Sequence, residues 1–212
     1  MTLLSDKAKN LIFSFEGLDQ ASDWPGGDSG ITIGIGYDLG YVTADEFAKD
    51  WTDILAPADL QALNAAVGLK AGAAKEKASL FKTIRIKMSD AERVFLDRSV
   101  PTYAKQTATA FPGLEKLPDD AQGALISLVY NRGPRLTDRD PKVEDRREMR
   151  AIRDAVAKGD LQTIADQLRA MKRLWEGKNQ GGLLKRRDAE ADLVASCIVK
   201  QPAAVPNETE SS

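Results

Sequence analysis

No histidine occurs among the 212 residues, and cysteine occurs once. The first absence removes Ser-His-Asp and Cys-His nucleophilic machinery and the His-bearing zinc sites of amidases and metallopeptidases. The second leaves no disulfide within the chain and no thiolate cluster; Cys197 falls in the last helical pattern and reads as a small core residue. No run approaches the ~18 uninterrupted apolar residues of a membrane span, so no membrane insertion is expected. The opening M-T-L-L-S-D-K has no basic stretch leading into an apolar one, so no signal peptide is expected. Nucleic-acid motifs and aromatic platforms are missing too, and a net charge of −2 is wrong for such a partner. Acid–base chemistry is left to Asp, Glu, Lys, Tyr or bound water. Neither a metal nor an organic cofactor is called for.

What is present suits one domain, with 42% hydrophobic residues for its core. Charge is uneven. Residues 1–131 hold 13 Lys+Arg against 18 Asp+Glu, whereas residues 132–187 hold 16 against 9. A basic segment of this kind can attract an anionic polymer; solvated helix faces with interleaved acids are the plainer reading.

The most informative stretch runs from Phe15 to Gly40. Residues 3–16 read as a helix, with Leu4, Ala8, Leu11, Ile12 and Phe15 at three- and four-residue steps and Ser5 as its N-cap. Glu16 closes it, beside Gly17 as a stop. A helix C-terminus disfavours a carboxylate's charge, which is the property a general acid needs; a structural salt bridge to Glu16 is the competing role. Then Ile31, Ile33, Ile35, Tyr37 and Leu39 alternate with Thr32, Gly34, Gly36 and Asp38. That is a ribbon with one apolar and one open face. A straight strand would part Thr32 from Asp38 by ~20 Å at ~3.3 Å per residue. If both serve one site, the chain must turn at Gly34–Gly36. An ordinary surface hairpin is the alternative.

Along the rest of the chain, Thr43–Glu46 and Ser89–Glu92 have the form of capping boxes. Pro57 opens a helix to Val67, Gly68–Lys75 is a connector by composition, and the helix after Ser89 is expected to stop before Pro101. The turn residues Trp24–Gly27 leave Trp24 either packed or offered to a ligand. Pro118 starts the most apolar helix, expected at the centre of the core, with Asn131 and Arg132 capping its end or touching substrate. Helices are expected over Val143–Lys158 and Leu161–Trp175. In the last one Arg186 or Arg187 pairs with Glu190. Residues 201–212 are expected to be a disordered tail.

The wording of three segments resembles one family. F-E-G closing a first helix, followed within twenty residues by T-I-G-x-G, resembles the phage-type lysozymes (endolysins, family 24 glycoside hydrolases). T-I-G-I-G-Y-D-L-G is most similar to their pesticin-like branch. A-L-I-S-L-V-Y-N-x-G at Ala124–Gly133 resembles the family's core helix, and Gly182–Leu193 its closing helix. The resemblance implies an α+β, mostly α fold of lysozyme-like two-lobe form. Residues 1–200 would be one catalytic domain, with a small β-hairpin lobe at about 17–70 and a helical lobe at about 71–200 plus helix 3–16. It further implies a catalytic Glu, a water-positioning Thr and an Asp six residues on, which fall on Glu16, Thr32 and Asp38. Ordinary phage lysozymes carry the Asp about six residues before the Thr; here that position is Gly26, between Asp23 and Asp28. Asp28, and less so Asp23, are therefore rivals. Gly34, Gly36, Tyr37 and Asn131 are expected to contact substrate.

The implied activity is hydrolysis of the β-1,4 bond between N-acetylmuramic acid and N-acetylglucosamine, with inversion, the carboxyls standing ~6.5–9.5 Å apart. Among wall-degrading enzymes, the missing histidine leaves glycosidases and lytic transglycosylases. The partners would be peptidoglycan glycan strands, the protein a monomer made in the cytoplasm, and the place of action the periplasm after release or delivery. A non-catalytic lysozyme-fold component of a phage tail or secretion apparatus, and the same enzyme used as an injected antibacterial toxin, are the alternatives.

Overall fold

The computed structural model describes residues 4–16 and 22–198. It is mostly helical, with a small two-stranded antiparallel sheet. Helix α1 (Asp6–Ser14) begins where the Ser5 hydroxyl accepts a hydrogen bond from the Ala8 N–H at 3.2 Å, and it buries Ala8 and Ile12. It is shorter than the 3–16 expected, because Phe15 and Glu16 close it with tighter bonds to Ile12 and Phe13. Gly17, the expected stop, and the tail at 201–212 lie outside the described residues.

Strands β1 (Thr32–Ile33) and β2 (Tyr37–Asp38) form the sheet, with Thr32 opposite Asp38 and Ile33 opposite Tyr37. The turn between them has Gly34 at φ +51° and Gly36 at φ +63°, a region that a side chain makes costly. Ile31, Ile33, Ile35, Tyr37 and Leu39 are all buried, while Thr32 and Asp38 are half-buried on the other face. Asp23 bridges to Thr32 by a backbone pair, so the ribbon is anchored on both sides.

Helices α2 (Ala44–Trp51) and α3 (Pro57–Asn64) follow. The Thr43–Glu46 capping box is formed in full, with both reciprocal bonds present. Three local expectations are corrected. The expected connector at Gly68–Lys75 is largely helix α4 (Ala71–Lys77); its Ala, Lys and Glu content favours helix, and burial of Ala74 fixes it. Ser89 does not cap: α5 (Met88–Val94) already includes it, after an uncapped start at Lys87. Nor does the helix end before Pro101. A π-type turn at Phe95–Ser99 carries the chain straight into α6 (Val100–Ala110). Pro101 sits in the first turn of α6, where a missing N–H costs nothing.

Helix α7 (Asp119–Arg132) is the centre of the helical part, with Ala121, Ala124, Leu125, Ile126, Leu128 and Val129 buried. Helices α1, α6 and α10 (Gly181–Ala195) pack around it. At the α1 crossing a Cβ on Gly123 would collide with the Ala8 side chain, so glycine sets the close approach that carries Glu16 to the end of α7. Helix α8 spans Arg147–Lys158 and α9 spans Leu161–Ala170. The expected start of α8 at Val143 is displaced. The Asp138 carboxylate accepts from the Arg146 N–H and Asp145 from the Arg139 N–H, which ties residues 138–146 into turns. Basic residues here are largely paired, Arg173 with Glu148 and Arg150 with Asp138 among them. Cys197 is half-buried, its thiol pKa raised by burial. No helix among the described residues is long and apolar enough to cross a membrane.

Candidate functional site

A cleft of about 840 Å³ opens between the hairpin, α6, the end of α7 and α10. Glu16, Thr32 and Asp38 all line it, as do Tyr103, Tyr130 and Arg186. A second hollow of about 500 Å³, reaching Phe15, Gln180 and Leu183, shares Glu16, Asn131 and Arg186 with the first. Glu16 thus stands between two hollows of one groove.

The hairpin wall is built from backbone. Thr32 and Asp38 are direct cross-strand partners, so their side chains emerge on the same face with Cβ atoms ~5 Å apart. Asp38 Oδ1 accepts from the Gly30 N–H at 2.9 Å and the Gly40 N–H at 2.8 Å. Gly30 can approach only because it lacks a side chain: a Cβ there would collide with Gly40 and lie 2.6 Å from Asp38 Oδ1. Both bonds land on one oxygen. Among the described residues no protein donor reaches Asp38 Oδ2, and none reaches the Thr32 hydroxyl. A free carboxylate oxygen beside a free hydroxyl is a water-holding pair.

The opposite wall is built from buried charge. Arg186, 5% exposed, places NH1 3.2 Å from Glu16 Oε1 and donates NH2 to the Ser127 hydroxyl at 3.1 Å. Its Nε lies 3.5 Å from Glu190 Oε1, and Arg187 pairs with the same oxygen at 2.8 Å. Glu190 and Arg187 are both 0% exposed. Burial raises the Glu190 pKa, against the opposing pull of Arg187 and then Arg186. The competing role for Glu16, an ion pair, is therefore present. The intrahelical pairing with Glu190 exists as well, but Arg186 also leaves its helix to reach the cleft. Adjacent residues point ~100° apart on a helix, so an R-R doublet sends its two cations to different neighbours. That signal was legible in principle.

Two tyrosines lie between the walls. Burial raises the Tyr103 pKa first, then the charges of Asp38 and Glu16, so both acids act on one phenol. Burial and then Glu16 push Tyr130 far up. Their rings meet edge to face at 5.1 Å. Neither tyrosine stands out in the sequence: Tyr103 lies in a stretch without a family-like motif, and Tyr130 reads as core on an apolar helix.

The remaining candidates divide. Gly36 and Asn131 are exposed and line the cleft, Asn131 accepting from Arg187 at 3.2 Å. Tyr37 lines the cleft but is buried, and its hydroxyl donates to Asp50 at 2.9 Å. Gly34 is not among the lining residues; it faces Ala91 and Trp51. Asp28 is exposed and does not line the cleft itself, though its carbonyl accepts from the hydroxyl of Tyr41, which does. The Asp23 carboxylate takes the Trp24 N–H and Lys82. Trp24 is half-buried and donates its indole N–H to the Ser29 carbonyl. Arg132 lies over Trp175 and donates to the Asp145 carbonyl rather than capping its own helix. Among the described residues no group of three His, Cys, Asp or Glu is placed to hold a metal.

Residues 10–109 match the model of a domain of unknown function, DUF8812. That span runs from α1 almost to the end of α6, so it carries Glu16, Thr32, Asp38 and Tyr103 but neither Tyr130 nor Arg186. No curated protein matches the chain.

Proposed function

We propose that this protein is a lysozyme-like peptidoglycan glycosidase that cleaves the β-1,4 bond between N-acetylmuramic acid and N-acetylglucosamine. The observation that carries the reading is the arrangement of Glu16, Thr32 and Asp38 around one open groove, with Thr32 and Asp38 side by side and Glu16 on the other wall. Glu16 gives its proton to the departing glycosidic oxygen. Asp38 Oδ2 and the Thr32 hydroxyl hold a water on the opposite face of the sugar, and the Asp38 carboxylate takes its proton as it attacks, which inverts the anomeric centre. Bond breaking and water addition balance without a cofactor. The substrate and the inverting outcome come from the family resemblance, and the groove continuing on both sides of Glu16 suits a polymer rather than a small molecule.

The test is turbidity loss of permeabilised Gram-negative cells. Glu16→Gln is expected to lower clearing by about 10²-fold or more, the scale of one general acid, with unchanged circular dichroism. Retention of most activity in that variant would remove Glu16 from the role. One observation favours a second reading, a non-catalytic wall-binding protein: the Arg186–Glu16 pair gives Glu16 a structural partner. On that reading the wild type binds sacculi without clearing cells, and Glu16→Gln lowers thermal stability instead. Use of the enzyme as a phage lysis protein or as an injected toxin would leave this chemistry the same.

A further inference from the structure

Among the described residues Tyr41 is the one exposed aromatic side chain, at 61%, and it lines the cleft. A single exposed ring needs no explanation by itself; what sets this one apart is its anchoring. The Tyr41 hydroxyl donates to the Asp28 carbonyl at 3.0 Å. The loop that supplies this acceptor is tied down in turn. Its Ser29 carbonyl accepts from the Ala71 N–H at 2.9 Å and from the Trp24 indole N–H at 3.0 Å. At its backbone end Tyr41 follows Gly40, whose N–H donates to Asp38 Oδ1. The ring is thus fixed at both ends, on the same wall as Asp38 and three residues further along.

The two faces of the ring differ. The Lys70 ammonium stands 3.9 Å from the ring centroid, close enough to occupy one face as a cation–π partner. Lys70 does not line the cleft, whereas Tyr41 does, with Pro25 and Val42 beside it. The cation therefore covers the outer face and leaves the other to the groove. An open aromatic face carries negative charge density that attracts polarised C–H groups. A β-1,4-linked pyranose presents such groups: its axial C–H bonds form a flat apolar face, while its hydroxyls point outward toward polar walls. We infer that Tyr41 is the stacking platform of a glycan subsite, on which one N-acetylhexosamine ring lies flat. The inference rests on the proposed reading of the cleft as a glycan site. It adds the course of the strand, which runs along the hairpin wall beyond Asp38 to Tyr41. Lys70 and the Asp28 carbonyl hold the ring for it. Tyr41 touches substrate away from the bond that breaks, so its loss falls on affinity.

The test is binding of a β-1,4-linked N-acetylglucosamine hexamer, measured by isothermal titration in the Glu16→Gln protein so that nothing is cleaved. Adding Tyr41→Ala should weaken binding about three- to ten-fold, the worth of one aromatic contact. Tyr41→Phe and Tyr41→Trp, which keep a ring, should retain most of the affinity. Undiminished binding in Tyr41→Ala would overturn the inference. So would an equal loss in Tyr41→Phe, because the hydroxyl's bond and not the ring would then matter. A proton NMR spectrum of the bound hexamer gives a signature that a purely structural tyrosine would not produce. The axial C–H protons of one sugar should move upfield by ring current with Tyr41 or Phe present and not with Ala; no upfield shift in any of them would overturn the stacking. Failure of the muramidase reading shows separately, as wild-type protein that binds the hexamer yet digests no sacculi. Digestion of sacculi by a wild type whose hexamer affinity does not depend on Tyr41 would defeat this inference alone.

Discussion

The two acids of the groove are held by opposite means. Asp38 is fixed by backbone: two glycine amides grip one of its oxygens, and the strand register sets it against Thr32. Glu16 is fixed by a side chain, Arg186 of α10, with Glu190 of α10 and Ser127 of α7 behind it. Backbone donors keep their place whatever the pH and leave the second oxygen open to water. A buried cation network ties the acid to the fold of the helical part, and its strength depends on every member being present. One wall is suited to hold a water. The other is suited to control a proton.

That contrast can be broken from either side. The largest effect is expected at Glu190, which Arg186 and Arg187 share while fully buried. Glu190→Ala leaves the buried Arg187 without an anion and Arg186 with Glu16 alone, and should cost about 3–5 kcal/mol in urea unfolding; a cost under ~1 kcal/mol would mean that the network holds nothing. Next comes Asp38. Asp38→Ala strands the Gly30 and Gly40 amides and should cost about 1–3 kcal/mol as well as activity. Asp38→Asn keeps the accepting Oδ1, so it should fold like the wild type yet clear cells poorly, separating the structural oxygen from the reacting one. On the same scale of stability but without loss of activity, Gly34→Ala should cost about 1–3 kcal/mol from its positive φ and its close contacts with Ala91 and Trp51, with KM unmoved because it faces away from the groove. Asp28→Asn should change neither stability nor clearing, and a loss larger than that of Asp38→Asn would move the second acid to Asp28.

The hairpin was readable because it is local. A period of two, glycines where the turn must fall and Thr32 opposite Asp38 are all properties of nine consecutive residues. The helix caps at Ser5 and Thr43 were readable for the same reason. Ser89 and Pro101 were not, since packing of Ala91, Val94 and Phe95 pulled the helix start earlier and continued it through a π-type turn. The charged wall was the least legible. Arg186 reaches Glu16 across 170 positions of chain, and Tyr130 reads as one more apolar residue on α7 although its hydroxyl meets Gly36 of the hairpin. Pairing at short spacing is a rule of the helix; pairing across a groove is a property of the whole fold.

Digestion of purified sacculi, with mass spectrometry of the released fragments, tests the shared work of Glu16 and Asp38 most directly. Wild-type protein should release fragments ending in reducing N-acetylmuramic acid, while Glu16→Gln and Asp38→Asn should each release almost none. Anhydro-muramic ends, or equal digestion by all three proteins, would contradict water attack guided by Asp38 across the groove from Glu16.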